Sequence, residues 1–184
     1  PGSRIRVTNS PSLIPEKKPL TVEAWVKAER GRGVIVARGG SAHGYTLFLK
    51  GGKPGFAIRA DSKLHSVAAK EKIVGQWTHL AGVLEADKTL RLYVNGELDA
   101  AAACPGTAGL NDDPVWIGGR SDQPSWRWYG SLDELHIWRV SRTPEQIRAG
   151  ATVPVIPTDA DLAAYWRMDQ TGGGGVEAAG GGMP

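Results

Sequence analysis

The sequence predicts an all-β chain folded as a two-sheet antiparallel sandwich with one short helix. Three observations carry this. Strand-like runs at 78–84 and 89–94 are joined by the polar turn Glu85-Ala86-Asp87-Lys88, and Asn95-Gly96 follows at once. Asn-Gly suits a two-residue type I′ turn, because both central positions need φ > 0. A three-strand meander therefore sits mid-chain. The composition agrees: 41% of residues are apolar, with 25 Gly and 12 Pro in 184 residues, a balance suited to many short strands and tight turns in one domain.

The remaining elements follow in order. Arg4–Thr8 alternates and ends at Asn9-Ser10-Pro11. In Leu20–Lys27, Val22, Ala24 and Val26 share one face, with Glu23, Trp25 and Lys27 on the other. Gly33–Ala37, Tyr45–Lys50, Gly55–Arg59 and Leu64–Ala68 are further strands, then Val115–Gly118 and Leu132–Arg139. The helix is expected over Pro144–Ala149, with Pro at its first position and a Thr143/Gln146 capping box. Val153–Pro157 reads as an extended connector. Leu162–Met168 is strand-like, and residues 171–184 read as a Gly/Ala-rich tail or linker beyond a domain of residues 1–170.

Charge and chemistry narrow the function classes. The net charge is +3, with Lys and Arg scattered along the chain, so nucleic acid is not an expected partner, while anionic glycans are compatible. No apolar run is long enough to span a membrane. The chain opens at Pro1 without Met and reads as a processed form or fragment. Cys104, alone, forms no intrachain disulfide and reads as a small apolar filler. No Ser/His/Asp order, Cys-x-x-Cys pair or phosphate loop is present. Glu97-Leu98-Asp99 runs into Ala100–Ala103 and Glu85-Ala86-Asp87 lies in a hairpin turn, so neither continues into a longer carboxylate set along one strand face, and catalysis within this chain is not expected.

Seven tryptophans raise the question of sugar stacking. Trp25, Trp77, Trp116 and Trp166 lie within strands and read as structural. Trp126 sits in the polar loop 120–127 with Arg120, Asp122 and Gln123 nearby, where glycan contact and loop packing are both open. His136 and Trp138 could line a sheet face, although packing is favoured for both. Alternation over Leu132–Arg139 puts Asp133 on the side of Leu135 and Ile137, where a carboxylate needs a partner.

Pro19–Val26, Gln76–Gly82, Leu92–Gly96, Val115–Gly119 and Gly130–Trp138, with the Ser-Arg-Thr-Pro-Glu-Gln-Ile helix, resemble in order the motifs of laminin-G-like domains in the concanavalin A-like lectin/glucanase superfamily. The resemblance covers roughly residues 2–170. It implies a jelly-roll sandwich and a carbohydrate-binding or adhesion module of a larger extracellular, periplasmic or cell-surface protein of bacterial type. The alternatives are an accessory domain of a multidomain enzyme and, third, a glycoside hydrolase. Val34–Gly40 with Tyr45–Pro54 also resembles a segment appended to bacterial sulfatases. The resemblance further implies calcium at Asp133, with carbonyls near Gly2 and a ligand from Asp169, although Pro1 replaces the expected Asp. The alternative for Asp133 is a backbone amide or an Arg. A segment like Leu162–Gln170 commonly opens such domains. Here it either begins a following repeat or fills the vacant first-strand position. The expected site residues are thus Trp126, Arg120, His136 and Trp138 for an acidic or sulfated glycan.

Overall fold

The computed structural model describes residues 4–8, 13–14, 16–39, 43–109, 113–120, 123–152 and 159–169. Gly2, Asp122, the connector 153–157 and the tail 171–184 lie outside them. Twelve strands and one helix are seen among the described residues: β1 (Ile5–Val7), β2 (Leu20–Ala28), β3 (Arg32–Gly39), β4 (Gly44–Lys50), β5 (Lys53–Ala60), β6 (Lys63–Ala68), β7 (Trp77–Leu84), β8 (Thr89–Val94), β9 (Glu97–Ala103), β10 (Val115–Ile117), β11 (Gly130–Trp138), α1 (Pro144–Gly150) and β12 (Leu162–Trp166).

They form two six-stranded antiparallel sheets. Sheet A runs β1-β10-β3-β4-β5-β6 and sheet B runs β12-β11-β2-β7-β8-β9. The core lies between them, where Val22, Ala24 and Val26 of β2 meet the layer of Leu47, Leu49, Phe56 and Ile58. Period-2 alternation drives this, since one face of each strand must leave water while the other need not. Asn95 and Gly96 adopt φ of 51° and 82°, as a type I′ turn requires. In α1, the Thr143 hydroxyl accepts from the Gln146 amide and the Gln146 side chain accepts from the Thr143 amide. Ile147 then buries against Ala81, Val83 and Tyr93 on the outside of sheet B. Cys104 is fully buried in the core, as a filler would be.

β12 takes the edge of sheet B beside β11, with Leu135 opposite Trp166 and Ile137 opposite Ala164. Leu162–Trp166 therefore pairs into this sandwich as an edge strand of sheet B.

One expectation is corrected in β11. Its register against β2 shifts between Asp133 and His136, and Glu134 adopts φ 47°. The extra residue is a β-bulge, which reverses the facing of everything beyond it. Leu135 and Ile137 face the core, whereas Asp133 pairs with Trp25 on the outer side and Leu132 packs inward.

Candidate functional site

The outer face of sheet A holds a cleft of ≈ 510 Å³, a size that suits a small ligand. Its floor is built by cross-strand rows. Ala37, Thr46 and Ala57 lie side by side on β3, β4 and β5, and Val34, Phe48 and Gly55 form the next row. Small side chains keep this floor low. At Gly55 an added Cβ would stand 2.5 Å from Phe48 Cζ, so the absence of a side chain lets the Phe48 ring lie over β5.

The wall is the segment joining β10 to β11. Trp128 anchors it: the ring is 3% exposed in the core, and its amide donates to the Gly118 carbonyl at 3.0 Å. Gly33 admits that close approach, since a Cβ there would lie 2.9 Å from Trp128 Cα. A 3-10 turn over Pro124–Trp126 then projects Trp126 over the floor. Its ring meets Phe48 edge-on at 6.0 Å and 78°, while the Arg32 guanidinium sits 4.5 Å from its centroid. Trp126 is half-buried. Arg120 donates to the Gly39 carbonyl at the cleft's other end, near Arg59 and Leu64. The structure thus brings Trp126 and Arg120 into one cleft. The Thr46 hydroxyl oxygen in the floor is buried with no hydrogen-bond partner among the described residues.

Basic residues scattered in sequence are gathered by the fold. The six strands of sheet A carry seven Lys and Arg and no Asp or Glu. Those of sheet B carry five Asp and Glu and two Lys and Arg. Linear reading misses this, because the basic positions lie on different strands and become neighbours only through pairing. Two of the tryptophans that read as structural also face out. Trp116 stands between inward Val115 and Ile117 with Arg4 and Arg6 over its ring, and Trp77 is 46% exposed.

His136 and Trp138 do not reach this cleft. They are 2% and 3% exposed on the outer side of the opposite sheet. There the Glu23 Oε1 atom accepts from the Trp138 indole at 2.7 Å and from Arg142 at 2.5 Å. His136 stacks on Tyr165 at 4.5 Å, and Arg142 lies over the Trp138 ring at 4.1 Å. His79 Nε2 and His136 Nδ1 each stand 3.7 Å from the Glu23 carboxylate. Burial pushes the Glu23 carboxyl up, against the pull of Arg142 and the Trp138 hydrogen bond. Burial holds His79 down to about 4 and His136 to about 3, with the Arg142 charge acting in the same direction. These two side chains belong to a packed polar network, and burial there answers the alternation that put them on a sheet face.

The Asp133 carboxylate accepts from the Glu134 amide at 2.9 Å. Burial pushes its carboxyl up, and the nearby Asp169 charge adds to this. Asp169 itself pairs with Arg167 at 3.0 Å. The oxygen donors suit a hard cation, yet among the described residues no three His, Cys, Asp or Glu side chains are grouped to hold a metal. Carbonyls or water would have to complete six to eight ligands. The carboxylates weighed for catalysis have structural partners: Glu97 with Arg148, Asp99 with the Lys70 amide, Glu85 with Arg91.

Comparison with known proteins agrees with this architecture. Similar solved structures include a candidate carbohydrate-binding protein from Bacteroides ovatus, at 18% identity and a TM-score of 0.76, over 96% of this chain and 53% of that one. The chain thus spans about half of that protein. Domain 4 of AbnA, a GH43 extracellular arabinanase from Geobacillus stearothermophilus in complex with arabinotriose, matches at 24% identity and 0.65, over 81% and 72% of the two chains. The Ruminococcus gnavus IT-sialidase CBM40 bound to α2,3-sialyllactose matches at 16% and 0.66, over 82% and 92%. No curated protein matches the sequence. The Laminin_G_3 family, described as the concanavalin A-like lectin/glucanases superfamily, matches residues 2–148, and the chain belongs to that family.

Proposed function

We propose that this chain is a non-catalytic carbohydrate-binding module that takes an acidic or sulfated glycan in the cleft on sheet A. The observation that carries the reading is the joining of Trp126 and Arg120 in one cleft above strands free of acidic residues. The part of the Trp126 indole that Arg32 and Phe48 leave uncovered stacks on a sugar ring, and Arg59 and Arg120 line the cleft where carboxylate or sulfate oxygens accept charge-assisted hydrogen bonds. The carbohydrate-binding descriptions of the similar Bacteroides, Geobacillus and Ruminococcus structures support it. The same reading makes the chain one part of a larger extracellular or cell-surface protein of bacterial type.

Calcium at Asp133 is a separable element of the proposal. It is supported by a desolvated carboxylate beside the like charge of Asp169.

A glycan array comparing uronic, sialylated, sulfated and neutral saccharides tests the main reading. Binding to acidic saccharides, lost in Trp126→Ala and weakened in Arg120→Gln, is the expected result. Absence of binding to every saccharide would overturn it in favour of an accessory domain without a ligand.

A further inference from the structure

We propose a second binding site, independent of the cleft on sheet A. A cavity between the two sheets, at one end of the sandwich, takes a small neutral molecule with a ring body and a single oxygen, held by the Tyr45 hydroxyl. The cavity measures ≈ 380 Å³, within the range of small-molecule sites. Leu13, Leu20, Ile137 and Ala163 wall it, and all four belong to the core cluster. Local features shape it. Where β12 begins, Ile137 lies opposite Ala164 but Trp138 lies opposite Leu162, so Ala163 is an extra residue, and it carries only a methyl group. The segment before β2 turns through Glu16 and Lys17 at φ 50° and 63°, the left-handed region that side chains disfavour. The Lys17 amide pins that turn by donating to the Ala108 carbonyl at 3.1 Å.

Tyr45 points to the ligand. It lies opposite Ile58, a core residue, so its ring turns inward while Thr46 faces the outer cleft. Tyr45 is 3% exposed and lines the cavity, yet its hydroxyl oxygen is buried with no hydrogen-bond partner among the described residues. Burial pushes the phenol up, against the nearby Arg38 charge, so it stays a neutral hydroxyl that can donate or accept. A buried hydroxyl left unpaired is costly, and such a group calls for a partner. A water molecule there needs two to four polar contacts, whereas the side chains walling the cavity beside Tyr45 are Leu13, Leu20, Ile137 and Ala163. A molecule that brings one oxygen to Tyr45 and an apolar body to those walls meets both demands. The mouth fixes its charge. Lys18 and Arg139 stand there with Glu16 and Asp161, all exposed, and Lys18 pairs with Glu16 at 2.7 Å. Balanced signs favour neither an anion nor a cation, unlike the basic cleft on sheet A, so the ligand is uncharged: a phenol, aryl alcohol or aryl ketone.

The test titrates p-cresol, toluene and p-toluate against the whole chain by ligand-observed NMR. p-Cresol brings a ring and one oxygen, toluene lacks the oxygen, and p-toluate carries a charge. The expected result is saturable binding of p-cresol, about fivefold tighter than either comparison ligand, the scale of one neutral hydrogen bond. Tyr45→Phe should bring p-cresol down to the affinity of toluene and leave toluene unchanged. The melting temperature of the unliganded Tyr45→Phe chain should stay the same or rise, because an unpaired buried hydroxyl is removed. Leu13→Trp, with circular dichroism showing the sandwich intact, should abolish binding of both by filling the cavity. Trp126→Ala should leave p-cresol binding as it was. Binding of p-cresol that survives Tyr45→Phe, or that is lost in Trp126→Ala, overturns the assignment to this cavity. Tighter binding of p-toluate overturns the neutral class. No saturable binding of any probe overturns the site, and a lower melting temperature in Tyr45→Phe beside that result would give the hydroxyl to a buried water. Each of these outcomes leaves the acidic-glycan reading of the sheet-A cleft to its own test.

Discussion

Phe48 holds Trp126 edge-on at 6.0 Å from outside the sandwich, whereas Trp128, two residues further on, is sunk to 3% exposure within it. The same segment thus spends one indole on anchoring and offers the other to the cleft. Trp126→Ala should abolish acidic-glycan binding at a stability cost of about 1 kcal/mol, the scale of one aromatic pair. Trp128→Ala should cost about 3–5 kcal/mol, as core aromatics do. Urea unfolding of both variants checks the contrast, and equal losses would contradict it.

Glu23 has a cation beside it because Arg142, 119 residues away in sequence, folds back over sheet B. Arg142→Met leaves a carboxylate at 0% exposure without its cation and should cost about 3–5 kcal/mol. Glu23→Gln in that background should recover part of the loss, because it removes the stranded charge. Chemical denaturation of the two single variants and the double closes the cycle. Strictly additive losses would show that the pair does not couple.

Local rules made much of the fold legible. Asn95-Gly96, the Thr143/Gln146 box and the alternation of β2 each concern residues within a few positions of one another, and each took its expected form. The candidate site was legible in part. Trp126 stood out as an aromatic in a polar loop, and Arg120 as its neighbour. The bulge at Glu134 was not legible, since a single residue at φ 47° leaves no mark in the hydrophobic pattern. Extrapolating strict alternation across it put Asp133 on the wrong face. The basic face of sheet A and the Glu23–Arg142 network were hidden for another reason: strand pairing and a distant return of the chain create them.

Calcium should raise the melting temperature of the whole chain over that in chelator, with Asp133→Ala abolishing the difference. Ligand that binds only the folded state adds stability by mass action, and Asp133 with Asp169 would supply carboxylate oxygens on one side of the ion. Identical melting curves in chelator and calcium would leave Asp133 as the acceptor of the Glu134 amide alone.

Acid should destabilise the fold well before carboxylates titrate. Burial keeps His79 and His136 neutral down to about pH 4 and about pH 3, from an ordinary value of 6.5. The unfolded chain takes up both protons as pH falls through 6.5, while the folded chain refuses them. Their neutrality is therefore fully compatible with folding above 6.5. Stability is lost as pH drops below it, by about 2 kcal/mol per imidazole at pH 5. Glu23 acts oppositely, because its raised carboxyl takes a proton more readily in the fold. The steepest loss should thus lie between pH 6.5 and 5. Unfolding free energies over that window should show an uptake of one to two protons, and His79→Gln or His136→Gln should each reduce it by about one. A flat profile from pH 6.5 to 5 would mean that Glu23 accepts those charges in the folded state.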